Sequence, residues 1–217
     1  LAAPGAEPGT ARPGVVVIQE IFGVNAVVRG VADWLASKGY FALAPDLFWR
    51  LEPGVDITDK TDAEWQKAFA LMKRFDPDAG VQDIQSTIVH LRAQPGVNGK
   101  VGAVGYCLGG LLAFLCAART DTAATVGYYG VNIQDRLGEA PAIEKPLMLH
   151  IAGEDGFSSK AAQAQILAGL KDNPLVACHV YDGADHAFAR PGGKHYDRAA
   201  ATLANDRTEA FFRRYLG

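Results

Sequence analysis

Two apolar stretches, residues 100–105 (KVGAVG) and 108–118 (LGGLLAFLCAA), meet at Gly105-Tyr106-Cys107-Leu108-Gly109-Gly110. The first has the length of a strand, and the second suits a helix that is apolar on all sides. The chain must therefore pass from a buried strand into a buried helix within one or two residues. Such a turn is sterically strained. Only small residues two before and two after its apex let the backbones pass, and Gly105 and Gly109 stand at those places. Cys107 occupies the apex, at the N-terminus of the helix.

The rest of the chain alternates in the same way. Residues 15–19 (VVVIQ) form a continuous β-branched run, which predicts a strand buried on both faces. A helix is expected over 25–38, ended by Gly39, and a short strand over 40–44. Residues 45–58 carry two prolines and no period. Helices then follow over 61–75, capped near Thr58 or Asp59, and from Pro77 to about Ala93. Further strands are expected over 124–129, 146–152 and 175–181, with helices over 158–170 and 196–215. This alternation predicts an α/β fold, a mostly parallel sheet with helices on both faces, in a single domain over residues 1–217. The segment from Leu47 to about Phe75 is the part placed to form a lid or pocket wall.

Apolar residues make up 49% of the chain and charged residues 21%, which excludes bulk disorder. The formal net charge of −3 leaves no basic stripe for nucleic acid or for an anionic membrane. No apolar run reaches the roughly 18 residues of a membrane span. Cys107, Cys116 and Cys178 are too few and too odd in number for a disulfide framework, so a reducing, cytoplasmic setting is expected. No CxxC or HExxH appears, and no metal site is expected. Residues 1–14 are rich in Ala, Gly and Pro and lack the charged and apolar regions of a signal peptide. The sequence starts without Met, which leaves room for residues ahead of Leu1. A monomer acting on a small molecule is the expectation.

Chemistry concentrates at strand ends. A thiol at the apex is held where the helix dipole and free N–H groups stabilise a thiolate, with the Leu108 N–H aimed at a developing oxyanion. The bland alternative is a small buried cysteine in a Gly-rich turn. Downstream, one strand ends at Gly153-Glu154-Asp155 and another at Asp182-Gly183-Ala184-Asp185-His186. In an elbow of this kind the partners follow in the order nucleophile, acid, histidine, which selects His186 as base and Asp155 as its orienter. Glu154 and Asp185 compete for the acid's place, each also readable as a turn residue. His90, His150, His179 and His195 read as surface or core residues. Glu20 ends a strand expected to be buried, so it is either a partly solvated loop residue or a carboxylate within reach of the thiol. The Ile21 N–H is a candidate second oxyanion donor.

Four segments resemble a known family: Gln19-Glu20-Ile21-Phe22-Gly23-Val24-Asn25, Gly105 to Gly110, Gly127-Tyr128-Tyr129-Gly130-Val131, and His186-Ala187-Phe188-Ala189-Arg190. The resemblance is to the dienelactone hydrolases (carboxymethylenebutenolidases), and it runs from about Val15 to the C-terminus. It implies an α/β-hydrolase fold, a triad matching Cys107, Asp155 and His186, and a glutamate matching Glu20 that regulates the thiol. It also implies hydrolysis of an enol-lactone to maleylacetate through an acyl-cysteine, without metal or organic cofactor. Of two anion-binding arginines in that family, one matches Arg190 and the other falls at Trp65; a pocket tyrosine falls at Phe69. Phe22 and Tyr129, inside matching segments, are taken with these three as substrate-binding. Lys60 or Lys67 would restore a lost charge. The alternatives are a general carboxylesterase or thioesterase for more apolar substrates, a redox or glyoxalase-like protein, and a non-catalytic binding protein.

Overall fold

In the computed structural model, which describes residues 1–5 and 10–217, the chain runs β1 (Arg12–Ile18), α1 (Ala26–Ser37), β2 (Phe41–Leu43), α2 (Asp62–Arg74) and α3 (Pro77–Arg92). It continues through β3 (Val97–Tyr106), α4 (Leu108–Arg119), β4 (Thr125–Tyr128), a 3-10 helix (Ile133–Ala142), β5 (Leu147–Ala152), α5 (Lys160–Leu170), β6 (Val176–Tyr181) and α6 (Arg198–Leu216). One sheet holds the strands in the order β2-β1-β3-β4-β5-β6, with every pairing parallel. Val15 to Ile18 are fully buried, as a continuous apolar run in a central parallel strand requires. Helices cover both faces. A Cβ on Gly14 would meet Leu91 of α3 and Val101 of β3. One on Gly102, the next residue of β3 and so facing the other way, would meet Phe212 and Leu216 of α6.

Local signals explain most boundaries. Asn25 caps α1 by accepting from the N–H groups of Val27 (3.1 Å) and Val28 (3.2 Å), and Gly39 (φ 94°) follows its end. The cap of α2 is Thr61, not Thr58 or Asp59. Glu64 accepts from the Thr58 N–H at 2.8 Å and the Thr61 hydroxyl at 2.9 Å, and its own N–H returns to Thr61 Oγ1 at 3.3 Å. α6 starts at Arg198 because the Asp197 side chain accepts from Ala199 and Ala200. β3 begins at Val97, earlier than expected, across an irregular step opposite Arg12 and Gly14. The 3-10 helix was not foreseen; Gly138 and Pro141 interrupt any 3.6-residue period there. Of residues 1–14, read as lacking a leader, 6–9 lie outside the described residues, and Ala2 bridges Ala42. Among the described residues no helix is long and apolar enough to cross a membrane.

The turn between β3 and α4 depends on backbone contact. A Cβ on Gly105 would lie 1.9 Å from the Gly109 carbonyl oxygen, and one on Gly109 would lie 2.6 Å from the carbonyl oxygens of Ile18 and Gln19. Backbone cannot retreat as a flexible side chain can. Gly109→Ala is thus expected to cost about 3 kcal/mol, read as a lower urea midpoint. Gly138, with nothing within 4 Å of an added Cβ, is the control, and its Ala variant should stay within about 0.5 kcal/mol of wild type. Equal midpoints for the two variants would refute this reading of the turn.

Candidate active site

Glu20, Cys107, Asp155 and His186 all follow strand C-termini, on the edge where open parallel sheets assemble their sites. Cys107 has φ 56° and ψ −114°, outside the regions a cysteine adopts freely, and carries the strain expected of the apex. Its N–H donates to Tyr128 O at 3.0 Å, and its carbonyl accepts from Gly110 N at 2.9 Å. Those bonds fix the residue between β4 and α4. Leu108 is the first residue of α4, so its N–H has no partner within the helix.

His186 lies on the loop after β6 and Asp155 on the loop after β5. His186 Nδ1 stands 3.0 Å from each Asp155 carboxylate oxygen, with both side chains almost fully buried. Asp155 is held in turn by the Phe157 N–H at 2.8 Å. Cys107 and His186 line the same pocket, so the imidazole stands between the thiol's side of the site and the Asp155 carboxylate. Burial opposes the imidazolium, but Cys107 and Asp155 outweigh it and raise the histidine's pKa. The structure therefore brings thiol, imidazole and carboxylate together. The competing carboxylates stand elsewhere. Glu154 is exposed and paired with Lys160 at 2.7 Å. Asp185 ties the two loops together, accepting from His186 N (2.6 Å) and Gly156 N (3.0 Å) and pairing with His195 (2.8 Å). His150 is a core residue, bonded to Tyr181 at 2.8 Å and Thr208 at 2.9 Å.

Glu20 is buried, yet its partner is not the thiol. Arg190 Nε and Nη2 donate to its two oxygens at 2.8 and 3.0 Å, a bidentate pair. Arg190 Nη1 donates at 2.8 Å to Asp59, a partner that sequence reasoning missed because 131 residues separate the two. Burial works against the Asp59 carboxylate, but Arg190 and Lys60 prevail and hold its pKa below the usual range. Arg190 is thus not the free cation that the matching segment suggested. Nor do Lys60 and Lys67 supply one. Lys60 donates to the Gly192 carbonyl, and Lys67 pairs with Glu52 at 2.5 Å.

Cys107, His186 and Arg190 line a pocket of about 30 Å³ whose remaining walls are apolar, with Ile21, Phe22, Trp65 and Phe69 among them. The rings form a continuous rim. Phe22 meets Trp65 edge-on at 5.0 Å, Trp65 stacks on Phe69 at 5.4 Å, and Phe69 reaches Phe157 at 6.5 Å. Phe157, a wall residue not anticipated, stands edge-on to His186 at 4.7 Å. The only sequence signal for it is an apolar residue two places after Asp155. Tyr129, expected to touch substrate, is buried and packs edge-on against His186 at 5.1 Å, away from the pocket lining.

The profile of the dienelactone hydrolase family matches residues 1–216. A provisionally named carboxymethylenebutenolidase of Azospirillum brasilense is 50% identical over 212 residues, covering 96% of this chain and 90% of that protein. A carboxymethylenebutenolidase of Pseudomonas putida is 43% identical over 195 residues, covering 90% and 83%. A solved structure of a provisionally named dienelactone hydrolase from Klebsiella pneumoniae superposes with a TM-score of 0.86 at 25% identity, covering 98% and 91%. A profile spanning the chain nearly from end to end, together with relatives at that identity, places this protein in the dienelactone hydrolase family, as a hydrolase with the α/β-hydrolase fold.

Proposed function

We propose that this protein hydrolyses enol-lactones or activated esters through an acyl-cysteine intermediate. The observation that carries the reading is an imidazole bonded to a buried carboxylate and lining the same apolar pocket as the thiol. Cys107 Sγ attacks the carbonyl carbon, the acyl C–O bond breaks, and His186 gives its proton to the leaving oxygen. Water then adds to the thioester, losing its proton to His186, and the thiolate leaves. The N–H groups of Leu108 and Ile21 receive the oxyanion in both steps. Glu20 has the regulating role that the resemblance implies. Its pairing with Arg190 leaves His186 to take the thiol proton as Cys107 attacks.

A thiolate is itself a good leaving group. It expels an enolate or phenolate from the tetrahedral adduct far more readily than an alkoxide or amine. A second reading, a carboxylesterase or thioesterase for apolar substrates, is favoured by Trp65, Phe69 and Phe157 along the rim. The test is a panel of dienelactone, aryl acetates of rising chain length, a thioester and ethyl acetate. Turnover of the lactone and aryl esters, with ethyl acetate inert, is expected. Ethyl acetate hydrolysed as fast as an aryl acetate would overturn the proposal. A preference for long acyl chains or the thioester over the lactone would select the second reading. Three free cysteines support a reducing, cytoplasmic setting, and the net charge of −3 supports a small-molecule substrate over nucleic acid or an anionic membrane.

A further inference from the structure

The pocket has one polar end, and its charge differs from what Arg190 alone would give. Arg190 is buried, and its guanidinium lies 5.0 Å from the Phe22 ring centroid, on the pocket wall. Glu20 takes Nε and Nη2, and Asp59 takes Nη1. Arg190 thus meets two carboxylates, and with Lys60 beside Asp59 the cluster carries no net charge. Glu20 follows β1 and faces Arg190 through a bidentate pair. Asp59 comes from the irregular segment ahead of α2. That segment is held by the Trp65 indole N–H, which donates to the Asp59 carbonyl at 3.1 Å, and Lys60 stands 3.6 Å from the Asp59 carboxylate on its exposed side. Away from this cluster the residues around the pocket are aromatic, aliphatic or part of the thiol–imidazole chain.

We propose that Asp59 sets the substrate charge of this enzyme: its carboxylate occupies the Arg190 guanidinium from within the protein and makes the pocket select uncharged acyl groups over anionic ones. This rests on the hydrolase reading above and narrows it to activated esters with an uncharged acyl group, so that dienelactone, itself an anion, is turned over less efficiently than a neutral aryl ester. An anionic acyl group entering the pocket meets a guanidinium that is already neutralised, in a poorly solvated place where no free positive charge repays its lost hydration. Two Arg190 N–H groups remain after three are used, so the barrier is one of charge more than of donor supply. Asp59 acts through Arg190 and does not touch the reacting carbonyl. It is a positioning residue, and its effect belongs in KM.

The test uses two aryl esters of equal reach, 4-nitrophenyl butyrate, which is neutral, and mono-4-nitrophenyl succinate, whose far end is a carboxylate. Wild type is expected to favour the butyrate in kcat/KM by about tenfold or more, the worth of one charged hydrogen bond. Asp59→Asn removes the charge at constant shape. It should raise kcat/KM for the succinate about tenfold through KM, with kcat within about twofold and the butyrate unchanged. Asp59→Ala, which also frees Nη1, should gain at least as much, and Asp59→Glu should keep the wild-type preference. The proposal is overturned if wild type takes the succinate as well as the butyrate. It is equally overturned if Asn and Ala move both esters together, or neither. The butyrate arm separates the two levels of the argument. Its hydrolysis by wild type and loss in Cys107→Ala concern the hydrolase reading alone, and without that hydrolysis both fall.

Discussion

Cys107→Ala is expected to lower hydrolysis of an aryl ester or lactone by about 10⁴-fold or more, with the circular dichroism spectrum and urea midpoint close to wild type. The side chain sits at an apex whose backbone is fixed by Tyr128 O and Gly110 N, contacts that an alanine keeps. Alanine inherits the positive φ that the cysteine already bears, so the backbone strain is unchanged by the substitution. Alkylation gives an independent reading. Burial pushes the Cys116 thiol up to about 12 and the Cys178 thiol up to about 11, whereas Cys107 faces an imidazole and lines the pocket. One equivalent of iodoacetamide should therefore inactivate the enzyme with label on Cys107. The same variant tests the ion pair. Against the lowering effect of burial, Cys107 is the largest influence raising the His186 pKa, so its removal is expected to shift the imidazole titration to lower pH, seen by NMR. An unchanged titration, or full activity in Cys107→Ala, would overturn the assignment.

Asp155→Asn should reduce turnover roughly 10³–10⁴-fold with little loss of stability. Both carboxylate oxygens lie 3.0 Å from His186 Nδ1, so that nitrogen donates and Nε2 is left to face the sulfur. An amide that turned its NH₂ toward Nδ1 would force the opposite tautomer, with the ring proton on the sulfur side. An amide that turned its oxygen there would preserve the tautomer but remove the charge that favours the imidazolium. Either way the base is weakened. His186→Ala removes it altogether and should be at least as severe. Glu154→Gln is the control, since the Glu154 side chain is exposed and bonded only to Lys160 among the hydrogen bonds described. Its turnover should stay within about twofold of wild type, as is usual for an exposed pair. A severe Glu154→Gln beside a mild Asp155→Asn would identify the wrong acid.

What the sequence made legible was whatever neighbouring residues encode. The turn at Cys107 was readable because Gly105 and Gly109 answer backbone contacts under 3 Å, for which no other residue substitutes. The order of Cys107, Asp155 and His186 was readable because each follows a strand whose apolar run is unmistakable. The 3-10 helix over Ile133–Ala142 was not, because Gly138 and Pro141 speak against a helix locally and it takes its place by packing on α4 and α5. The cap of α2 was misplaced by three residues, since Thr58 and Thr61 both look like caps and only the reach of Glu64 separates them. The larger miss was electrostatic. Glu20 and Arg190 were each noticed, but as separate parts of the site. Their mutual pairing, and the claim of Asp59 on the same guanidinium, link residues 170 and 131 positions apart with no local signature.

The close packing around Gly109 and Gly110 also bears on how the reactive centre comes into being. Gly109 rests on carbonyls at the end of β1, and Gly110 on Tyr128 and Gly130 at the end of β4. The left-handed twist at Cys107 is unfavourable for an isolated segment by about 1–2 kcal/mol, so nothing local holds it while the chain is unfolded. β1 precedes Cys107 by about ninety residues and must dock beside β3 before Gly109 has a wall to press against. Parallel pairing of that kind closes long loops and is intrinsically slow. During biosynthesis Cys107 is therefore held at no apex until β1, β3 and β4 have joined, and on the proposed function the chain carries no activated nucleophile while it is still open.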